Sequence, residues 1–221
     1  MNRTRTEQDG VGFGLQADFT GNLKGRDNLF TIGIAYDEAD VAFAASTELG
    51  SLDATRQAIP GGAFVGEAFT DLNATVETTG FFLSNVFSLG DRASLTLAGR
   101  YNRAHVVLED QLGDALNGDH TFERFNPAVG FTLDTGATTF YAGYSEANRA
   151  PSPVELTCAD EDDPCRLPNA FVADPPLEQV VAKTIEAGIR GRWSAGRWHA
   201  GVFRTTNDDD IIFISAGALT N

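Results

Sequence analysis

The chain lacks any apolar run near the roughly 20 residues that a membrane-spanning helix needs. It is nearly free of lysine: Lys24 and Lys183 stand alone among 16 basic residues. Against them are 31 acidic residues, giving a formal net charge of −15. Such a polyanion has no basic footprint for phosphates, which excludes nucleic acid and argues against an anionic membrane surface as partner. Histidine is scarce too. His105, His120 and His199 lie far apart and lack metal-ligand spacing. There is no nucleophile elbow, no H-E-x-x-H helix and no P-loop. The expectation is therefore no catalytic residue, no metal site, no cofactor, and a protein that is not an enzyme. The first ten residues hold no apolar core of the kind a signal peptide requires. An exported protein should carry one, so the reading expects a mature or fragmentary chain and favours a fragment.

Cysteine is limited to Cys158 and Cys165, both in one acidic, proline-containing stretch. With no histidine nearby, they read as a local disulfide formed in an oxidising compartment, or else as two free thiols. Closing so short a loop stabilises a fold by about 2–3 kcal/mol.

What the chain has in quantity is period-2 alternation. In 11–19, Val11, Phe13, Leu15, Ala17 and Phe19 share one face, and Gly12, Gly14, Gln16 and Asp18 the other. The same pattern returns from Asn28, with Phe30, Ile32, Ile34 and Tyr36, and over about 75–88, 92–107, 121–133 and 138–146. Two more strands centre on Ile185–Ile189 and on Trp198–Val202. Eight strands result, with charges such as Asp18, Arg100, Glu186 and Arg190 in mid-strand on the polar face. The best helix candidate is short, Leu177 to Lys183. The glycines of Gly10-x-Gly12-x-Gly14 fall inside a strand and miss dinucleotide-loop spacing.

The connections alternate in length. Short links at about 20–27, 89–91, 134–137 and 192–196 alternate with long ones at about 47–74, 108–120 and 147–180. Outer-membrane barrels have tight periplasmic turns and long external loops, and only every second strand residue must face lipid. The mean hydropathy of −0.16 is compatible with that. The fold expected is all-β: an antiparallel transmembrane β-barrel segment of about eight strands, forming one domain over 1–221. In this orientation both ends of the segment lie outside. Trp193 and Trp198 flank a short turn, where a periplasmic aromatic girdle belongs. Two other readings remain: a small self-contained outer-membrane barrel, and a soluble β-sandwich binding module. In the sandwich, the acidic runs 160–163 and 208–210 would be solvated or calcium-binding loops.

The stretch YAGYSEANRAPSPVEL at 141–156 resembles the barrel region of TonB-dependent receptors, where a Y-x-x-Y-S-x-x-x-R-A-P-S-x-x-E-L pattern opens a long external loop. Phe125-Asn126-Pro127 resembles the start of the strand before it. Glu186, Gly188 and Arg190 resemble the E-x-G-x-R strand after it, and Leu95-Thr96-Leu97-Ala98-Gly99-Arg100-Tyr101 resembles another strand of the family. Four motifs in family order cover nearly the whole chain. The resemblance implies a Gram-negative outer-membrane receptor for a scarce small molecule such as an iron–siderophore complex or cobalamin. It implies outer-membrane lipid as surroundings, and a TonB complex acting through a plug domain whose motifs are not found in these residues. Arg149 and Glu155 match motif positions. They stand as weak ligand-binding candidates, a structural role at the rim being the stronger expectation.

Overall fold

A computed structural model describes residues 2–157 and 177–211. The strands are β1 (Asn2–Leu23), β2 (Arg26–Leu52), β3 (Ala58–Ser88), β4 (Ala93–Asp110), β5 (Gly118–Asp134), β6 (Thr138–Arg149), β7 (Val180–Trp193) and β8 (Gly196–Asp208). One short helix, α1 (Pro153–Thr157), follows β6. The strands form a single antiparallel sheet in the order β1 to β8, a half-barrel. A sandwich would need two sheets. A closed eight-strand barrel would need β1 to pair with β8, and among the described residues the ladder runs between sequence neighbours.

Paired residues share a face, so the register tests the alternation directly. Leu15, Ile34, Phe81, Tyr101 and Phe125 line up across five strands. Phe19, Phe30, Asn85, Leu97 and Val129 form a parallel row nearer the short turns. Most of these apolar side chains are exposed, as a lipid-facing wall requires. On β4 the band runs from Ala93 to Tyr101. About nine residues rising 3.3 Å each, tilted about 40°, cover roughly 23 Å, close to the ~25 Å apolar band of such barrels. Beyond Tyr101 the same face turns charged: Arg103 pairs with Glu123 at 3.3 Å, and His105 lies between Glu77 and Asp119.

The short turns fall where the sequence places them. Lys24-Gly25 closes β1–β2 with both residues at positive φ, 52° and 80°, a conformation that glycine adopts without a Cβ penalty. Trp193 and Trp198 lie on the outer face beside the β7–β8 turn, and Trp198 covers the bare backbone of Gly191.

Two expectations fail. The long link at 47–74 is not a loop. β2 has 27 residues and β3 has 31, and only 53–57 lies between them, although the pairing shifts register near Glu48 and Leu49. Past Tyr36 the ribbon continues for about 16 residues, or roughly 50 Å of strand path. Beyond the apolar band the outer face is wet, and apolar burial persists only on parts of the inner face, such as Phe43, Ala45, Leu72 and Val106, so the two-faced alternation that marks a strand fades there. For the same reason β1 begins at Asn2 rather than near Val11, and the link at 108–120 shrinks to 111–117. The second failure is the helix at 177–183. Val180 onward is strand, with Val181 opposite Asp208, where β-branched residues fit a pleated ladder better than a helix. The helix that does form is α1.

Candidate functional site

At the long-loop end, the chain leaving β6 folds back onto the inner wall. Leu156 of α1 joins a buried cluster with Leu72, Ala74, Val106 and Leu108, and Leu177 packs at its margin. Both ends of the 150–179 connection are thus seated on the inner face of β3–β5.

Local sequence explains α1. Ser152 is its N-cap, Pro153 its first residue and Glu155 its third, which is a capping box. The Ser152 N–H donates to Glu155 Oε2 at 2.7 Å, and the Glu155 N–H donates to Ser152 Oγ at 3.4 Å. Arg149 then grips the same carboxylate through two donors, at 2.7 and 3.2 Å. Glu155 is buried. Burial opposes its charge, but Arg149 and Ser152 outweigh burial and hold its carboxyl below the usual range. The structure therefore brings both motif residues together and spends their charges on each other.

A polar network continues from this point along the wall. Asn148 Oδ1 accepts from Asn102 Nδ2 at 2.9 Å and from Asn126 Nδ2 at 2.6 Å. Its own Nδ2 donates to Gln179 Oε1 at 2.8 Å, and Gln179 Nε2 donates to the Glu123 carbonyl at 3.0 Å. Arg124 pairs with Glu146 at 2.6 Å, and the Tyr144 hydroxyl donates to the same carboxylate at 2.6 Å. Three strands, β4, β5 and β6, are joined in this way to Gln179 at the far end of the connection. Asn102, Gln179 and Leu156 were not singled out from the sequence as site residues. Asn126 and Asn148 lie inside the family-like motifs, which was the one available signal.

Lower on the inner wall, a concave space of about 1050 Å³ spans β4–β8. Glycines make room in it: the Tyr141 ring lies over Gly188 and Gly201. Arg100 lies 5.7 Å above the Phe82 ring and donates to Asn102 at 2.6 Å.

Cys158, Cys165 and the acidic run 160–163 lie outside the described residues. Of the other acidic run, Asp208 pairs with Lys183 at 2.6 Å, and Asp210 accepts from Asn207 at 3.3 Å. Among the described residues no three metal-ligating side chains gather.

An open antiparallel sheet with an apolar outer face, a polar inner face, an aromatic rim at its short turns and inward-folding external connections is a segment of an outer-membrane-type β-barrel. A family model described as TonB dependent receptor-like, beta-barrel, matches residues 1–221, and the chain belongs to that family. Among solved structures, the alcaligin outer membrane receptor FauA of Bordetella pertussis aligns at 16% identity and TM-score 0.58 over 99% of this chain. The ferric-catecholate import receptor Fiu of E. coli aligns at 12% identity and TM-score 0.71 over 96%. The copper transporter OprC aligns at 16% identity and TM-score 0.69 over 97%. The chain spans 32%, 33% and 33% of those proteins. None of the curated protein sequences compared matches it.

Proposed function

We propose that this chain is barrel wall of a Gram-negative outer-membrane receptor that takes up a scarce small molecule, an iron–siderophore complex, cobalamin or similar, with energy delivered by TonB. The family match over the whole chain carries this reading. The named structural relatives include receptors for alcaligin and for ferric catecholates, and a copper transporter. The two described ends of the 150–179 connection, seated on the inner wall, also support it, because a receptor for dilute solutes needs loops placed at its mouth. Lipid surrounds the apolar band, and coupling to TonB runs through a plug domain outside these 221 residues. Arg149 and Glu155 shape the rim and do not touch the ligand.

The test is uptake. The complete reading frame is expressed in a host stripped of its own receptors, and labelled iron chelates, copper and cobalamin are supplied. Accumulation of one of them only in the TonB-competent host is the expected result. Equal accumulation with and without TonB for every solute would sink the proposal.

A further inference from the structure

On β4, two neighbouring residues serve opposite faces. Val106 points inward and is buried in the cluster that seats Leu156 of α1. His105 points outward, above the apolar band, between two carboxylates. Its Nε2 lies 2.8 Å from Asp119 Oδ1 of β5, and its Nδ1 lies 3.5 Å from Glu77 Oε2 of β3. A neutral imidazole carries one N–H and can serve only one of these carboxylates. The imidazolium carries two and serves both. The other charged groups around it add to the demand for a proton. Glu38 of β2 stands opposite Glu77 and accepts the Tyr36 hydroxyl at 2.7 Å. Asp40 of β2 accepts the Thr75 hydroxyl at 2.9 Å. Arg103 of β4 is already paired with Glu123 of β5. On the inner face, His120 of β5 stands opposite Val106.

The same three strands carry the seat. Leu72 and Val76 come from β3, Val106 and Leu108 from β4, and Phe122 from β5. The line from Glu77 through His105 to Asp119 crosses those strands at the same height, where Val76 pairs with Val106, and Val107 with Asp119. Close-packed side chains have one good arrangement, so strands that part on the outer face misplace their neighbours on the inner one.

We propose that His105 is a proton-operated tie for the 150–179 connection. With its proton it draws β3, β4 and β5 together on the outer face and keeps the Leu156 seat closed on the inner face; without it the seat loosens. The hydrogen bond to Asp119 raises the pKa of His105, with desolvation opposing and Glu77 assisting. A raised folded value means that the tie holds in full below the ordinary histidine value near 6.5 and is lost as pH rises through the folded one. The connection is therefore held on the acid side of that titration and released on the alkaline side. Glu155 does not produce this step, because its carboxyl is held below the usual range and stays charged throughout. The device needs only the wall and the connection, and stands apart from the transport reading.

The experiment is limited proteolysis of the complete protein in detergent, from about pH 6 to about pH 9, a range that brackets histidine. Each cleavage rate within 150–179 is divided by that of a synthetic peptide of the same sequence at the same pH, which removes the protease's own pH dependence. Cleavage then follows the population of the open form. In wild type the corrected rate should rise about threefold with pH, the size an exposed ion pair supports, with the strands uncut. His105→Gln should be flat at the alkaline wild-type level. His105→Lys, which keeps a fixed charge, should be flat near the protected level. His120→Gln should keep the wild-type step. A wild-type rate without a step would overturn the tie. So would a step that survives in His105→Gln or vanishes in His120→Gln. Should His105→Gln fail to fold, the wild-type, His105→Lys and His120→Gln profiles decide.

Discussion

The two ends of this wall treat charge in opposite ways. At the long-loop end most basic side chains have an acidic partner: Arg149 with Glu155, Arg124 with Glu146, Arg103 with Glu123, Lys183 with Asp208, and His105 with Asp119. At the short-turn end Arg190, Arg192 and Arg197 have none among the described residues. Paired charges hold strands and a connection in register and are consumed in doing so. The same residue type thus ties strands together at one end and stands in a row of like charges, Arg192 opposite Arg197, at the other.

Breaking the built end should have the largest effect. Leu156→Ala removes the α1 side chain that enters the Leu72–Val106 cluster. A cost of about 3 kcal/mol is expected for docking of the 150–179 connection, seen as faster proteolysis there with the strands intact. If cleavage rates are unchanged, the connection is not held by this contact.

A comparable test aims at the wall itself. At Gly188 an added Cβ would come within 2.6 Å of the Ala200 carbonyl oxygen and would strike the Tyr141 ring. Gly188→Val should cost about 2 kcal/mol and lower the barrel's melting temperature. An unchanged melt would mean that Tyr141 is not packed over bare backbone.

Glu155→Gln is the next in size. It leaves Arg149 without its counter-charge and weakens the capping box, with an expected loss of about 2 kcal/mol in local stability. The sign in pH follows from the lowered pKa. Glu155 contributes fully above the ordinary carboxyl range and loses its contribution as pH falls through the lower folded value. Hydrogen exchange at 150–157 in wild type should therefore rise in acid, while in Glu155→Gln it should be flat.

His105 should show a smaller effect of opposite sign. Its hydrogen bond to Asp119 raises its pKa, with desolvation opposing and Glu77 assisting. The stabilisation is present in full below the ordinary histidine value near 6.5 and disappears as pH rises through the folded one. A histidine ring titrating at or below 6.5 by NMR would refute the bridge. Least of all should the Cys158–Cys165 pairing matter to the wall. Mass spectrometry of unreduced peptides is expected to find the two linked, and two free thiols would remove that expectation.

Most of the fold was legible because lipid imposes a rule on the sequence. Between Ala93 and Tyr101 each second residue must be apolar, so strand, face and register follow from alternation alone. Where that rule lapses, reading failed. Asp40 and Ala42 lie in strand β2 as Ile32 does, yet they are exposed on its outer face, where no lipid selects for apolar residues. The candidate site was less visible. Arg149 and Glu155 were marked by their motif, but their embrace depends on a capping box that turns Glu155 back onto Arg149. Asn102 is paired with Arg124 of the next strand, but its bond to Asn148 spans 46 residues of sequence, and no local pattern encodes such a meeting.

By itself the sequence determined the class of wall. Apolar alternation, short turns and a charged opposite face permit little besides an antiparallel barrel segment. The tertiary structure alone decided how far the strands overrun the apolar band, that the described ends of the 150–179 connection are anchored inward, and which charges pair with each other. Each of those depends on backbone pairing and side-chain meetings between distant residues, whose energies arise only once the sheet has brought them within reach.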